Sequence, residues 1–517
     1  MDKFRHWRWY RYMQPVLVTA GVVTFALAAY WPTVAPSITW RNGGSDGGDL
    51  AAAVATLGVP HPPGYPGYVL LGRLWAALPL GGDVAYRLNL FSAAGAAAAA
   101  GLAALAILLL ARKIVPCSPA FSVPVGALFG GLSLSLAPLT WSQATIAEIY
   151  APGLATFSLI SLCLLYGWYT GSPWSLLLAG LAGGFGLGIS PQIVLLLPGT
   201  ALWLFFWEKR HVQGNSWQSW GWLAPLLLGF GLGLTVFVYL PIRAAAQPLI
   251  NWGDPETPAR FWAVVSMAQY QQYASLLDAQ QWPPRLLESI IQLGQQLSWA
   301  GLGLALLGGY VLWNNDRVVL GYLIMLVGLA VLFRTGYPVM NNLVYLLPAL
   351  YGLAVMAGVG AVWLLSQAGK QVGGGGAALL GAGVLIALVV RATNIAPLVD
   401  ISADRSAVLF GQRTMAHLAP NAVIISERDE TTFSLWYQQA LNQRPDVVVL
   451  DSRLFCFDWY RRNLAHRYPD LDPVVARPDL ITTVARPLYE LVGPSGEELA
   501  QSIEDLADCC DFAGCGY

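Results

Sequence analysis

The chain has 517 residues, of which 56% are hydrophobic and only 11% are charged, and its mean hydropathy is +0.54. Soluble domains carry about 25% charged residues, so this composition excludes an ordinary soluble protein. The formal net charge is −1 and no Lys- or Arg-rich block occurs, so nothing in the sequence indicates a nucleic-acid partner. Repeated long apolar runs predict instead an all-α polytopic membrane protein.

The first apolar run follows Arg5, Arg8 and Arg11, and it ends without a small-residue cleavage site. We interpret it as a retained first span with its N-terminal end in the cytoplasm. Eleven spans are predicted, near 15–33, 88–110, 121–138, 152–169, 174–189, 192–207, 222–240, 290–313, 318–333, 343–366 and 376–390. This count places four sets of basic residues on the cytoplasmic side, namely Arg112 with Lys113, Lys209 to His211, Arg317, and Lys370.

Residues 34–88, between the first two spans, form the first outside loop. Its polar residues include Asp46, Asp49, His61, Arg73 and Arg87. Charged groups beside a bilayer are costly unless they face water, a partner or a substrate. We therefore expect the catalytic segment in this loop, within a transmembrane domain over residues 1–390.

Other outside segments contribute Glu148, Arg243, Asp254 and Arg334. A carboxylate can accept the proton of an attacking hydroxyl, and the planar fork of arginine fits phosphate oxygens. A lipid donor with a phosphate leaving group would need both. The interpretation assigns Asp46 as the base, Arg87 and Arg243 as phosphate contacts, and His61 and Glu148 as site-lining groups.

Each of these residues also has a structural interpretation. Asp46 and Asp49 could form turns, and for Asp49 capping of a helix that begins near Leu50 is favoured over catalysis. His61 could equally be a structural hydrogen-bond partner, and Arg87 could be an interfacial anchor. No cofactor is firmly implied: the two acids could hold a divalent cation, but two carboxylates alone are a weak metal signal.

After residue 390 the composition changes, and residues 391–517 are predicted to form an extracytoplasmic α/β domain. Short strands at 422–426 and 446–450 are each followed by an amphipathic stretch, at 431–442 and 455–468. The loop that follows the first strand, 426–430, has the position at which open α/β sheets bind ligands, although a solvated loop is commoner. Cys509, Cys510 and Cys515 could form a disulfide outside the cell or belong to an exposed terminus.

Several segments resemble a known polytopic family over residues 1–270. They are Asp46-Gly-Gly-Asp-Leu-Ala-Ala-Ala, Leu57-Gly-Val-Pro-His-Pro-Pro-Gly-Tyr-Pro66, Leu71-Gly-Arg-Leu, Arg87-Leu-Asn-Leu-Phe-Ser-Ala, Ser142 to Tyr150, and Asp254 to Tyr270. In combination they resemble the family catalogued as domain of unknown function 2723. The resemblance implies a membrane glycosyltransferase of the GT-C type, and its vertebrate members are similar to protein O-mannosyltransferases that use a polyprenyl-phosphate-linked sugar.

The resemblance also implies that the catalytic acid lies in the first outside loop, which assigns that role to Asp46. The family usually has Glu at the position of Asp49, and its vertebrate members end in helical repeats rather than in an α/β domain. The acceptor class is therefore not carried over.

The expected function is transfer of a sugar from a polyprenyl-phosphate donor to an extracytoplasmic protein, lipid or glycan, with protein O-mannosylation as one form of it. The alternative is a lipid or solute transporter, or a non-catalytic membrane scaffold. Transporters often have paired repeats with charges near the bilayer midplane. Here the charges collect in loops, which favours an enzyme of the cell membrane.

Overall fold

A computed structural model describes residues 2–116, 118–211, 220–275, 279–339, 341–471, 486–491 and 501–502. The terminal cysteines Cys509, Cys510 and Cys515 lie outside these ranges. The described chain is mostly helical, with a small sheet near its C-terminal end, as predicted.

The helices of the first 400 residues are α1 (Asp2–Tyr30), α2 (Gly47–Thr56), α3 (Pro66–Ala76), α4 (Val84–Ile114), α5 (Ser122–Ser135), α6 (Pro138–Ala144), α7 (Tyr150–Thr170), α8 (Pro173–Leu187), α9 (Leu196–His211), α10 (Ala224–Leu234), α11 (Tyr239–Ala245), α12 (Pro258–Val265), α13 (Trp282–Leu297), α14 (Trp299–Asn315), α15 (Arg317–Gly336), α16 (Leu347–Gln371) and α17 (Gly373–Val399). The first outside loop is thus itself helical, because α2 and α3 both lie within it.

Eight segments of the described chain are long and apolar enough to cross a membrane, and the number rises to ten if two bent helix pairs each form one span. α8 is a shorter apolar helix of 15 residues. Each of the eleven predicted spans falls on one of these segments or pairs. The protein is therefore a multi-pass membrane protein, and the count of eleven stays a prediction that depends on the two bent pairs and on α8.

Two of the predicted spans, 121–138 and 290–313, fall on bent helix pairs. α5 and α6 meet at 64°, where Pro138 begins the second helix. α13 and α14 meet at 100° around Ser298, whose φ of 65° ends one helix and whose side chain caps the next. The predicted span at 290–313 thus falls on a bent pair, since it joins the end of the amphipathic α13 to the apolar α14.

Small residues allow a very close contact between α8 and α10. A Cβ added to Gly180, Gly184, Gly229 or Gly233 would lie 2.1–2.4 Å from a carbonyl oxygen of the facing helix. α8 and α10 therefore touch backbone to backbone. Packing of this kind replaces the hydrophobic effect as the attraction between helices inside lipid.

The predicted cytoplasmic basic residues lie together at one end of the bundle. Arg210 at the end of α9 stacks on Trp168, with its guanidinium carbon 4.7 Å from the ring centroid, and lies 4.0 Å from the carboxylate of Asp316. Asp316 precedes Arg317 at the start of α15, and Lys113 at the end of α4 lies over another aromatic ring at the end of α7. This end is opposite the one that carries α2 and α3.

The C-terminal region contains α18 (Ser406–His417), α19 (Asp429–Ala440) and α20 (Asp458–Arg467), with strands β1 (Val423–Ser426), β2 (Val448–Asp451), β3 (Leu488–Glu490) and β4 (Gln501–Ser502). The strand order is β2-β1-β3-β4, in which β1 is parallel to both neighbours and β4 is antiparallel to β3. This is the β-α-β arrangement that the sequence pattern predicts. α17 continues to Val399, past the predicted boundary at residue 390, so we call residues 400–517 the tail domain.

The tail domain packs directly on the first outside loop. Buried apolar residues of α2 and α3 belong to the same hydrophobic cluster as those of β1, β2 and α19. A Cβ on Gly48 would lie 2.6 Å from the carbonyl oxygen of Phe433, and the indole of Trp40 donates to the carbonyl of Glu430 at 3.0 Å. The contact between α2 and α19 brings the tail domain to the predicted catalytic segment.

Candidate active site between the membrane and tail domains

The backbone that leads to Asp46 is held in an irregular shape. Asn42 and Gly43 have φ values of 58° and 81°, which turn the chain just before α2. The side-chain amide of Asn42 donates to Thr145 Oγ1 at 3.1 Å and to the carbonyl of Val399 at 3.2 Å. Contacts from two distant parts of the chain therefore fix the position of Asp46 immediately before α2.

Asp46, Asp49 and His61 form one connected group. His61 Nδ1 lies 2.7 Å from Asp49 Oδ2, and the backbone N–H of His61 donates to the same oxygen at 2.9 Å. The other ring nitrogen, Nε2, lies 3.7 Å from Asp46 Oδ2. Asp49 is fully buried, whereas the side chain of Asp46 is 35% exposed. Asp49 therefore orients the imidazole, and Asp46 keeps access to a ligand.

This geometry changes the interpretation of Asp49. α2 begins at Gly47, so Asp49 lies within its first turn rather than at the N-cap. The favoured expectation that Asp49 caps a helix near Leu50 is wrong, because its carboxylate binds His61 instead. Asp46 holds the N-cap position and makes no side-chain capping bond.

The two acids hold the imidazole in its charged form. Burial lowers the pKa of His61, but Asp46 and the hydrogen-bonded Asp49 outweigh that effect and raise the pKa to about 9. Burial raises the pKa of Asp46, His61 lowers it, and Asp429 and other nearby acids raise it, with a net increase. A carboxylate of raised pKa beside an imidazolium is suited to accept a proton.

Glu148 lies beneath the same loop. Its side chain is buried, and its Oε1 has no hydrogen-bond partner within the described part of the chain. Burial and the charge of Asp46 raise the pKa of Glu148 well above its usual range, against the backbone amides of Ile149 and Asp46, which lower it. With Glu148 protonated and neutral, Asp46 is the ionised acid of this pair, and it is also the one that is exposed.

Asp46 opens into a polar cavity of about 400 Å³ between the two domains. The membrane domain lines it with Gly43, Ser45, Asp46, Tyr150, Val339, Asn341 and Val344, and the tail domain lines it with Glu427, Arg428, Asp429, Glu430 and Arg453. The loop after β1, which the sequence assigns to solvent or to a ligand of the sheet, thus forms one wall of the cavity that holds Asp46.

The two arginines of this wall have different environments. Arg453 donates to Asp429 Oδ1 at 2.6 Å and to Asp451 Oδ2 at 3.0 Å, so its guanidinium is occupied. Arg428 is exposed to the cavity, and its guanidinium makes no hydrogen bond or ion pair with any described residue. Arg428 is therefore the cation of this cavity that is available to an anionic ligand.

The structure does not bring the predicted phosphate contacts to this cavity. Arg87 donates to the carbonyls of Ala76, Gly81 and Gly82, at 2.6–3.3 Å. Arg243 donates to the carbonyl of Leu57 at 2.6 Å, beyond the end of α2 that is remote from Asp46. Both guanidinium groups hold backbone in place.

The remaining outside charges are also engaged elsewhere. Arg73 donates to the carbonyl of Ala55, Asp254 pairs with Arg260 at 3.1 Å, and Arg334 pairs with Glu288 at 2.8 Å. Within the described ranges, no group of three or more His, Cys, Asp or Glu residues is arranged to hold a metal ion. The space between Asp46 and Asp49 is taken by the ring of His61.

Comparison with known proteins identifies two related segments. Residues 46–214 match the family described as the N-terminal domain of protein O-mannosyl-transferase TMEM260, and residues 407–477 match TMEM260-associated domain 2. Mouse protein O-mannosyl-transferase TMEM260 is 25% identical over 456 residues, which cover 82% of this chain and 62% of the mouse protein. The chain thus spans about three fifths of the length of this relative. The first segment begins at Asp46, and the second includes Arg428 and Arg453.

Solved structures share the fold. ArnT from Cupriavidus metallidurans, bound to undecaprenyl phosphate, has a TM-score of 0.51 at 14% identity, with 85% of this chain and 90% of that chain covered. The oligosaccharyltransferase AglB from Archaeoglobus fulgidus, in complex with an inhibitory peptide and a dolichol-phosphate, has a TM-score of 0.51 at 11% identity, with 93% and 70% covered. The chain therefore has a GT-C-like membrane fold with a small C-terminal α/β region, and it is related in sequence to the TMEM260 O-mannosyl-transferases.

Proposed function

We propose that this protein is a membrane glycosyltransferase that moves a sugar from a polyprenyl-phosphate donor to a hydroxyl of an extracytoplasmic polypeptide. The observation that carries the proposal is the Asp46 carboxylate, which opens into an interdomain cavity beside an imidazolium and an arginine that pairs with no described residue. The similarity to a protein O-mannosyl-transferase and the fold shared with ArnT and AglB support the same reaction class.

In the proposed reaction, the Asp46 carboxylate accepts the proton of the acceptor hydroxyl while that oxygen bonds to the anomeric carbon of the sugar. The bond from this carbon to the donor phosphate oxygen breaks, and its electron pair leaves with the polyprenyl phosphate. His61 stabilises the ionised form of Asp46 before the proton arrives. Asp49 keeps the ring of His61 in place.

Arg428 is the proposed contact for the donor phosphate. It lines the same cavity as Asp46 and has no competing partner among the described residues, whereas Arg87 and Arg243 are bound to carbonyl groups. A guanidinium fits phosphate oxygens in pairs and stays charged at all working pH values. It would therefore stabilise the leaving group as the negative charge on that group increases.

The proposed orientation places the cavity and the tail domain outside the cytoplasm. The basic residues near Arg210 and Lys113 gather at the opposite end of the bundle, as expected for a cytoplasmic side. Cys456 in the tail domain is disulfide-bonded, which is typical of an oxidising compartment. The donor phosphate would then be met at the outer surface of the cell membrane.

The first test compares Asp46→Asn with wild-type protein, each purified in detergent and supplied with polyprenyl-phosphate sugars and a polypeptide acceptor. We expect the variant to lose transfer by 10²-fold or more, because a general base contributes that much. Glu208→Gln, which changes an acid of α9 at the opposite end of the bundle, is the control and should retain wild-type transfer.

The acceptor and the donor phosphate are tested separately. Mass spectrometry of exported proteins, envelope lipids and glycans, from cells with wild-type or Asp46→Asn protein, identifies the fraction that loses a sugar. Loss from lipids or glycans alone would replace the polypeptide acceptor in the proposal. No loss in any fraction, with the variant folded, would favour transport of a lipid or solute instead.

For the phosphate contact, Arg428→Ala should raise the donor KM about tenfold, as expected for a lost charge-assisted hydrogen bond. The acceptor KM should stay near the wild-type value. Arg413→Ala, an exposed arginine of α18 that does not line the cavity, is the matched control. An unchanged donor KM in Arg428→Ala would contradict this assignment and would favour Arg87 or Arg243 as the phosphate contact.

A further inference from the structure

A second cleft lies between the domains, at the other end of α2. Its narrow part, of about 50 Å³, is lined by residues 247–252 of the membrane domain and by α19 and α20 of the tail domain. A wider part of about 470 Å³ adjoins it and includes Thr56, the last residue of α2. The two parts share Gln247, Leu249, Gln439, His466, Arg467 and Tyr468.

The charge of this cleft is opposite to that of the Asp46 cavity. No Asp or Glu is among the described residues that line it, whereas four acids line the Asp46 cavity. Arg467 faces both parts of the cleft, and it forms no ion pair or hydrogen bond with any residue in the described ranges. Its place in the last turn of α20 suits the helix dipole. An interaction with the helix dipole does not explain why the described lining residues of the cleft include no acid to pair with Arg467.

Asn251 provides an independent observation at the narrow part. It is 5% exposed, and its side-chain Oδ1 has no hydrogen-bond partner among the residues that the structure describes. Its Nδ2 donates to Asp254 at 3.2 Å, and its backbone carbonyl accepts from Asn463 at 2.9 Å, so the rest of the residue is fixed. A buried acceptor without a donor is costly. A ligand N–H in the cleft would satisfy it.

The position of the cleft relates it to the proposed catalytic acid. α2 has ten residues and joins Asp46 to Thr56, which at about 1.5 Å per residue is about 15 Å. An extended polypeptide advances about 3.3 Å per residue, so five or more residues cover this distance. An acceptor whose hydroxyl lies at Asp46 therefore has the length to reach the cleft at Thr56, which Arg467 also lines.

We propose that this cleft binds the acceptor polypeptide through an acidic side chain five or more residues from the modified hydroxyl. Arg467 pairs with that carboxylate, and Asn251 Oδ1 accepts a backbone N–H of the same segment. The inference rests on the proposed function in one respect, that the acceptor is a polypeptide. It makes the tail domain the element that selects acceptors by charge.

The test measures binding without a donor, so that it does not depend on sugar transfer. Full-length protein in detergent is titrated with fluorescent peptides that carry one Thr and a Glu five to eight residues to either side, and with the same peptides carrying Gln. We expect wild-type protein to bind a Glu peptide about tenfold more tightly than its Gln partner. Arg467→Ala should abolish this difference, and Arg467→Glu should reverse it in favour of the Gln peptide.

Arg462→Ala is the matched control, because Arg462 is an exposed arginine of the same helix that does not line the cleft. Equal binding of Glu and Gln peptides by wild-type protein, or equal effects of Arg462→Ala and Arg467→Ala, would overturn the proposal. Binding of an acidic oligosaccharide without binding of any peptide would also overturn it and assign the cleft to a glycan. A charge preference at Arg467 without any sugar transfer would instead count against the transferase function alone.

Discussion

The charge of His61 affects the pKa of Asp46, the proposed base. Its ring contacts a buried acid through Nδ1 and faces the exposed Asp46 through Nε2, so one imidazolium serves two carboxylates. Removal of this cation leaves Asp46 among Asp49, Asp429 and Glu430, each of which raises its pKa. The substitution His61→Gln therefore tests the electrostatic role directly.

We expect His61→Gln to move the acidic limb of the pH–activity profile to higher pH. The charge of His61 lowers the pKa of Asp46, so its loss raises that pKa, and a higher pH is needed to ionise the base. The measurement is kcat/KM between pH 4 and 8 for both proteins. A limb at the wild-type pH with a uniformly lower rate would mean that His61 acts only through packing.

The same residue makes folding stability depend on pH in the alkaline range. The pKa of His61 is raised from 6.5 to about 9 on folding, so the folded state binds this proton more tightly. The stabilisation is fully present below pH 6.5 and is lost as the pH rises through about 9. We expect the difference in Tm between wild type and His61→Gln to shrink from pH 6.5 to 9.5. A constant difference would contradict a charged His61.

At the scale of elements, the contact between α2 and α19 joins the two halves of the candidate site. Gly48 permits this contact, because a Cβ there would lie 2.6 Å from the Phe433 carbonyl oxygen. Gly48→Ala should therefore separate the two helices and cost about 1–3 kcal/mol of stability, as overpacking does.

The measurement for Gly48→Ala is the Tm together with hydrogen exchange of the tail domain. Gly231→Ala is the control, since a Cβ on Gly231 of α10 has open space around it and Ala favours a helix. Faster exchange confined to α19 and its neighbours is expected for Gly48→Ala. Equal stability of both variants would mean that the interface adjusts without cost.

The helices and strands could largely be predicted from the sequence, whereas the contacts between distant elements could not. Apolar runs and the β-α-β pattern predict the spans and the tail domain, because each depends on local sequence. The wall formed by Arg428 depends on contacts such as that of Trp40 with Glu430, which are 390 residues apart in sequence. The hydrophobic periodicity of the sequence does not predict such a contact. Likewise, no feature of the sequence distinguishes Arg87, whose guanidinium binds carbonyl groups of its own loop, from an arginine whose guanidinium is available to a ligand.

At the scale of the whole molecule, both domains contribute to each of the two interdomain cavities. Among the described lining residues, the Asp46 cavity is acidic and has Arg428 available, and the second cleft has Arg467 without an acid. Both proposals require these cavities to face the outside of the cell. The orientation is therefore the assumption that a single experiment should examine first.

A cysteine introduced at Arg405, an exposed position in the tail domain, should react with an impermeant thiol reagent added to intact cells. A cysteine at Asn314, an exposed position in the last turn of α14, should react only after permeabilisation. Both are compared with the unsubstituted protein, which contains six native cysteines. The reverse labelling pattern would place the tail domain in the cytoplasm and exclude an extracytoplasmic acceptor.

The short helix α8 has a consequence for the surrounding lipid. Its 15 residues rise about 22 Å, whereas the hydrocarbon core of a bilayer is about 30 Å thick. If α8 crosses the membrane as the sequence predicts, we expect the bilayer to thin beside it, because a bilayer accommodates a short helix in this way. Gly188, which follows α8, accepts hydrogen bonds from the amides of Gly67 and Tyr68 in the first outside loop. On that expectation, lipid head groups beside α8 lie deeper in the membrane than those beside the longer spans, and they do so next to the first outside loop.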